Sequence, residues 1–214
     1  MRPANPEMAC TLEEVKKGLS GLRIDFYPNF LAQKEVLTSV LKLQNSLIID
    51  VGGETTALAL LKNGSLEQTT FFPLGGRHFL RGISKVSGMS FEEAEDLKRQ
   101  HAQGLLNQEV QKRLHNFIRQ ELEMWKKMFL AGLDIFYHFG PLPPQVILIG
   151  GGANIPEINS AVLGNWLKSF SYEEYPKVNN LRGDSVFGGD SLGGALQGSE
   201  DFNLAALIYI KQRP

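Results

Sequence analysis

The stretch SLIIDVGGETTALALLKNGSLEQTTFFPL, Ser46 to Leu74, decides the fold. It reads as an apolar strand ending on Asp50, a turn containing Gly52, Gly53, Thr55 and Thr56, and two further strands joined at Asn63-Gly64. Asn-Gly between alternating runs predicts a two-residue hairpin, because both residues accept the positive φ of a type I′ turn. The first connection is chemically different. Two glycines let a backbone approach a ligand closely, two hydroxyls can donate to it, and a carboxylate stands beside them at the strand end. A phosphate with a divalent cation suits that set. Taken alone, a strand followed by Gly-Gly and two threonines also describes a plain tight turn.

Working outward, residues 1–10 carry Pro3 and Pro6 and read as irregular. Thr11 and Glu14 have capping-box spacing for a short helix to Gly18, Leu22, Ile24 and Phe26 alternate as a strand, and Phe30 to Leu43 has one apolar helical face. On the other side, Gly75-Gly76 opens a helix to about Val86, closed by Gly88, and Ser90 with Glu93 caps the next one. Residues from about Asn107 to Phe139 form the longest helical pattern, with Leu114, Ile118, Leu122, Trp125, Phe129, Leu133 and Phe136 three or four apart. Pro141, Pro143 and Pro144 stop it, and Val146 to Ile149 is a short apolar strand suited to a parallel sheet. Gly150, Gly151 and Gly152 follow. Asn154 then reads as a helix cap, with Pro156 in the first turn and Glu157 at the capping-box position. Residues 171–200 read as loop with a short strand near Val178 or Val186, and Phe202 to Ile210 as a last helix. Helices alternating with strands predict an α/β fold: a three-strand meander plus parallel strands with flanking helices.

The totals limit the function classes. A chain of 214 residues, 43% hydrophobic and 21% charged, is ordinary for a globular protein, and a formal net charge of −1 supplies no global pull toward nucleic acid or an anionic membrane. Cys10 is the single cysteine, which with no signal-like segment points to a reducing, cytoplasmic compartment. The most apolar long stretch, Met124 to Phe139, is interrupted by Lys126, Lys127, Asp134 and His138, well short of the roughly 20 apolar residues of a bilayer span. The four histidines, at 78, 101, 115 and 138, have no metal-ligand spacing. Gly183 to Gly194 lacks the G-K-[ST] ending of a P-loop and reads as loop. Glu95 and Lys98, three apart on a helix, have the spacing of an exposed ion pair.

Ile49-Asp50-Val51-Gly52-Gly53-Glu54-Thr55-Thr56 resembles the phosphate-2 loop of the actin-like ATPases, and Val146 to Pro156 resembles their adenosine loop. Pro73-Leu74-Gly75-Gly76-Arg77-His78-Phe79, followed by Phe91-Glu92-Glu93-Ala94-Glu95-Asp96-Leu97-Lys98, is most similar to the bacterial branch that holds the division protein FtsA and the pilus protein PilM. The resemblance implies an actin-like (ribonuclease H-like) lobe that binds ATP with Mg. It implies that Asp50 holds the metal through water, that Gly52, Gly53, Thr55 and Thr56 contact phosphates, that Glu95 and Lys98 lie near the ribose, and that Gly150, Gly151, Gly152 and Asn154 lie near the adenosine. Glu54 stands where many members have glycine, and Ala57 where an acidic residue is common.

A full member has two lobes, each with a phosphate loop, and no phosphate-1 loop precedes Thr11. The expected organisation is therefore an irregular 1–10, a passage from a first lobe over 11–46, and a second lobe over 47–214 with a helical insertion at about 76–140. The water-positioning residue is expected from the first lobe, so no catalytic residue is assigned and efficient hydrolysis by this chain alone is not expected. The expected role is a scaffold of type IV pilus assembly at the cytoplasmic face of a membrane complex, working through protein partners and self-association, with ATP as a structural or switching ligand. The division-type role is the alternative. An interaction module that binds no nucleotide stands beside these, and a phosphotransferase of the related sugar-kinase group ranks last. Trp125, Phe129 and Phe136 are expected in the core, with part of their stripe exposed in a half-protein.

Overall fold

The residues Ser46–Val51 form strand β1, all six of them buried. The cause is position: β1 is the middle of a five-stranded sheet of order β3-β2-β1-β4-β5, with β2 at Thr56–Lys62, β3 at Ser65–Phe72, β4 at Gln145–Ile149 and β5 at Lys177–Asn180. The computed structural model describes residues 27–164, 170–187 and 195–212; the helix expected after Thr11 and the strand Leu22 to Phe26 lie outside them. The meander is antiparallel, β1 to β2 to β3, whereas β4 runs parallel to β1 and β5 parallel to β4. Asn63 (φ 50°) and Gly64 (φ 73°) are both left-handed, as the Asn-Gly hairpin requires.

Alternation along the strands divides the interior. Leu47, Ile49 and Val51 join Val146 and Leu148 in a core on one face, and Ile48 joins Ile147 and Ile149 in a second core on the other. Helices α1 (Asn29–Ser39) and α7 (Phe202–Gln212) cover the second face. The first is covered by α2 (Gly76–Ser87), α3 (Phe91–Ala102), α4 (Gln108–Asp134) and α5 (Pro156–Val162). A short α6 spans Asp184–Phe187, in a stretch the residue pattern reads as loop. No helix of the described residues is long and apolar enough to cross a membrane.

Local signals explain most boundaries. Gly88 closes α2 with φ 69°, and Ser90 and Glu93 form the capping box of α3. Helix α1 stops at Ser39, short of the expected Leu43, because Lys42 takes a left-handed turn (φ 57°) that sends the chain back toward β1. Partial exposure of the helical stripe is confined to Phe117, whereas Trp125, Phe129 and Phe136 lie in the core as expected, at most 1% exposed. This chain's own sheet covers them, with Trp125 stacked on Phe129 at 4.8 Å and edge-on to Phe72 at 5.9 Å.

Candidate functional site

Two turns leave the carboxyl ends of the parallel neighbours β1 and β4, where ligands of open α/β sheets bind. In the register Asp50 sits beside Ile149, so the turn after Asp50 and the turn after Ile149 start at the same level. Gly150 has φ 90°, and a Cβ there would lie 2.5 Å from the Val51 carbonyl oxygen and 2.7 Å from Asp50 Oδ1. Glycine is required by both conformation and contact.

The Asp50 turn folds on itself and onto α2. Gly52 N–H donates to Thr55 O, while the carbonyls of Gly52 and Gly53 accept from the N–H groups of Gly76 and Arg77, both at 2.8 Å. A Cβ at Gly75 would lie 2.5 Å from each of those two oxygens. Gly53, Glu54 and Thr55 are exposed, and among the described residues nothing accepts from their N–H groups. Three successive exposed N–H groups without an acceptor are donors that an anion can take up. The Thr56 hydroxyl points the other way: buried, it donates to Leu74 O at 2.7 Å and accepts from Trp125 Nε1 at 2.9 Å. Its hydroxyl is engaged within the core.

Asp50 is 8% exposed and faces the α1–α7 side. Gln33 Nε2 and Asn203 Nδ2 both donate to its Oδ2, at 2.9 and 2.8 Å, and Gln33 Nε2 also lies 2.8 Å from Asn203 Oδ1. Burial pushes the Asp50 carboxyl above its ordinary value, against the pull of the Asn203 and Gln33 amides. Gln33 Oε1 is buried with no hydrogen-bond partner among the described residues. A buried acceptor left unmatched beside a carboxylate is the pair that a hydrated metal ion would satisfy. Residue patterns gave no role to Gln33 or Asn203, although Gln33 is a polar residue at a core position of α1, next to Val36 and Leu37 on the helix face.

A cavity of about 740 Å³ opens beside the Gly150 turn, lined by Glu95 and Lys98 of α3, Gly151, Asn154, Arg182 and the Gly198–Glu200 segment. Four residues assigned from the sequence to nucleoside therefore line one cavity, of the size of small-molecule sites. Lys98, its side chain only 16% exposed, has Nζ 3.3 Å from Glu95 Oε1. Gly152 is buried against Val51, and the Gly150 N–H donates to Ser199 O at 3.1 Å.

Two local expectations are corrected. Asn154 does not cap α5, which starts after Ile155 with no side-chain cap. Its amide instead donates to Glu200 Oε2 at 2.7 Å, and its Oδ1 lies 2.9 Å from Ser199 Oγ. Glu157 makes no capping box either. It is buried at 4% exposure, with His101 Nε2 at 2.8 Å and His115 Nδ1 at 2.6 Å from Oε1. Pairing with two imidazoles explains how a carboxylate stays inside, and it ties α3, α4 and α5 together. The partners stand 56 and 42 residues away, beyond any local pattern.

Adjacent turns at the ends of parallel strands, with a cavity beside the Gly150 turn, belong to a fold on which solved structures of actin-like proteins superpose. The PilM–PilN type IV pilus biogenesis complex matches with a TM-score of 0.73, at 20% identity, over 97% of this chain and 59% of that one. MreB5 of Spiroplasma citri bound to AMPPNP matches with a TM-score of 0.64, at 15% identity, over 98% and 65%. Residues 47–177 match the family described as cell division protein FtsA, and the chain belongs to that family. Among curated relatives, FtsA of Bacillus subtilis is 43% identical over 53 residues, 25% of this chain and 12% of the relative. Ethanolamine utilization protein EutJ of Escherichia coli is 32% identical over 73 residues, 34% and 26%. These matched stretches are about a quarter or less of the relatives' own length.

Proposed function

We propose that this chain is the second-lobe part of an actin-like scaffold protein that closes on an adenine nucleotide and uses it as a structural or switching ligand. One observation carries the reading: Glu95, Lys98, Gly151 and Asn154 line one cavity, and the Gly150 turn that borders it packs against Asp50 and Val51 at the start of the other turn. In it, residues 47–214 form the lobe, 76–140 its helical insertion, and 11–46 the passage from a first lobe.

The residues divide the work. Glu95 and Lys98 hold the ribose, and Gly150 to Gly152 with Asn154 flank the adenosine. The exposed N–H groups of Gly53, Glu54 and Thr55 receive phosphate oxygens, with Gly52 shaping the turn and the Thr55 hydroxyl within reach. Asp50 and Gln33 hold the hydrated Mg ion, which when bound offsets the phosphate charge. Gln33 Oε1 is also an acceptor able to orient a water, a role first expected from the other lobe. The buried Asp50 carboxylate gains a counter-charge on metal binding, so ligand and fold are linked.

Isothermal titration of the full chain with ATP and Mg tests this. Binding that weakens in Lys98→Ala and Asp50→Asn is expected. Absence of heat and of any thermal shift at millimolar nucleotide would sink the reading for this chain. The cellular role we infer is assembly at the cytoplasmic face of a membrane complex through protein partners. The likeness to PilM in a PilM–PilN complex supports a pilus-type system, and the FtsA family match supports a division-type one. Pull-down against the membrane-complex proteins of each system separates them.

A further inference from the structure

Glu54 departs from the glycine that the family resemblance sets at this position, and its surroundings give the departure a use. Glu54 is the middle residue of the exposed Gly53-Glu54-Thr55 run of the Asp50 turn, whose N–H groups have no acceptor among the described residues. Two guanidinium groups from one face of α2 reach its carboxylate. Arg81 binds it with both nitrogens, Nη2 to Oε2 at 2.9 Å and Nη1 to Oε1 at 3.3 Å, and Arg77 Nη1 lies 3.4 Å from Oε1. Arg77 is itself held in place. Its stem passes over Gly53, 3.8 Å from where a Cβ would stand, and its guanidinium lies 5.9 Å from the centre of the Phe91 ring.

Two cations share one carboxylate, so the cluster keeps a net charge of about +1. The three side chains are 53% to 57% exposed, and an exposed ion pair is a weak interaction that an incoming anion can replace. Arginine forks match phosphate as well as carboxylate, and a phosphate brings more charge. The hydrogen bond from Arg81 holds the Glu54 carboxyl below its usual range, so the occupant is ionised at neutral pH.

We propose that Glu54 is a built-in occupant of a two-arginine clamp formed by Arg77 and Arg81, and that the terminal phosphate of a bound nucleotide displaces it. The proposal rests on the nucleotide reading of the Asp50 turn and assigns that site its discrimination between phosphate chain lengths. With Glu54 in the clamp the site excludes short or weakly charged anions. A triphosphate frees Glu54 and draws α2 onto the ligand through Arg77 and Arg81.

The test uses the full chain, the variants Glu54→Gln and Arg77→Ala/Arg81→Ala, and three probes: adenosine, Mg-ATP and inorganic tripolyphosphate. All substituted side chains are exposed, and circular dichroism checks that each variant is folded. Glu54→Gln is expected to bind Mg-ATP and tripolyphosphate roughly fivefold tighter, because no internal carboxylate must leave and none repels the phosphates. The double arginine variant is expected to lose about tenfold or more for both, with adenosine affinity unchanged in every variant. Equal Mg-ATP affinity in all three proteins overturns the clamp and leaves the nucleotide reading intact. Tripolyphosphate binding that follows the expected order without any adenosine or ATP binding keeps the clamp and overturns the nucleotide reading. Failure of every probe with every protein overturns both.

Discussion

Replacing Asp50 by asparagine separates what the site does for stability from what it does for a ligand. In the protein the carboxylate is buried, and two amides donate to one oxygen at 2.9 and 2.8 Å. Hydrogen bonds to a charged group are worth about 1 kcal/mol more than neutral ones, so the ionised form gains roughly 2 kcal/mol from the pair. Removing a carboxylate from water costs several kcal/mol. Burial therefore wins, in line with the raised pKa. An acid whose folded pKa is raised contributes stability that is fully present below its unfolded value, about 3.9, and lost as pH rises through the folded value. Asparagine has the same shape, keeps an acceptor for the amides and does not titrate. Asp50→Asn is thus expected to be more stable than the wild type by about 1 kcal/mol at pH 7.5, a rise in Tm of about 3 °C, with the gain shrinking as pH falls toward 4. Urea unfolding followed by circular dichroism at a series of pH values measures it. A loss of 2 kcal/mol at pH 7.5, or a difference that does not change with pH, would refute the claim that burial outweighs the amides.

Gly75→Ala must move the carbonyls of Gly52 and Gly53, and should destabilise by about 2 kcal/mol in urea unfolding. Trp125→Phe removes the donor to Thr56 Oγ1 and part of a stacked ring, for an expected loss of about 2 kcal/mol by the same method. Glu157→Leu leaves His101 Nε2 buried without an acceptor, and should lower stability by about 2 kcal/mol. Tyr172 points the other way: its hydroxyl is buried with no partner among the described residues, and burial pushes its pKa up to about 12. Tyr172→Phe should therefore stay within about 0.5 kcal/mol of the wild type, and ultraviolet titration should show one tyrosine fewer ionising near pH 12.

The parts of the fold that could be read in advance are those decided by neighbours in the chain. Asn63-Gly64, the Ser90–Glu93 box, the Gly88 stop and the apolar run of β4 each carry their own stereochemistry, and all are found where the pattern sets them. Strand β5, KVNN, is mostly exposed at the sheet edge and makes its place by pairing with β4, so its signal is faint. The same distinction runs through the site. Glycines mark both turns, since backbone contact excludes side chains locally, but the groups that set the chemistry of Asp50 and Glu157 arrive from distant elements. Gln33 and Asn203 stand 17 and 153 residues from Asp50. Asn154 and Glu157 fit a capping pattern and were drawn from it by Glu200, His101 and His115, because a tertiary partner outweighs a local cap.

The three side chains that meet at Asp50 also impose a timetable. A chain emerging from the ribosome presents Gln33 and Asp50 well before Asn203, and β1 can pair with β2 and β3 while synthesis continues. The amide of Asn203 arrives only with α7, after β4 and β5 have lengthened the sheet on the other side of β1. Until then the Asp50 carboxylate lacks one of its two amide donors and the second core lacks the cover of α7. Closure around Asp50 is thus a late, long-range event, and a nascent chain halted before residue 203 would carry every glycine of the Asp50 turn without the amide that completes its surroundings.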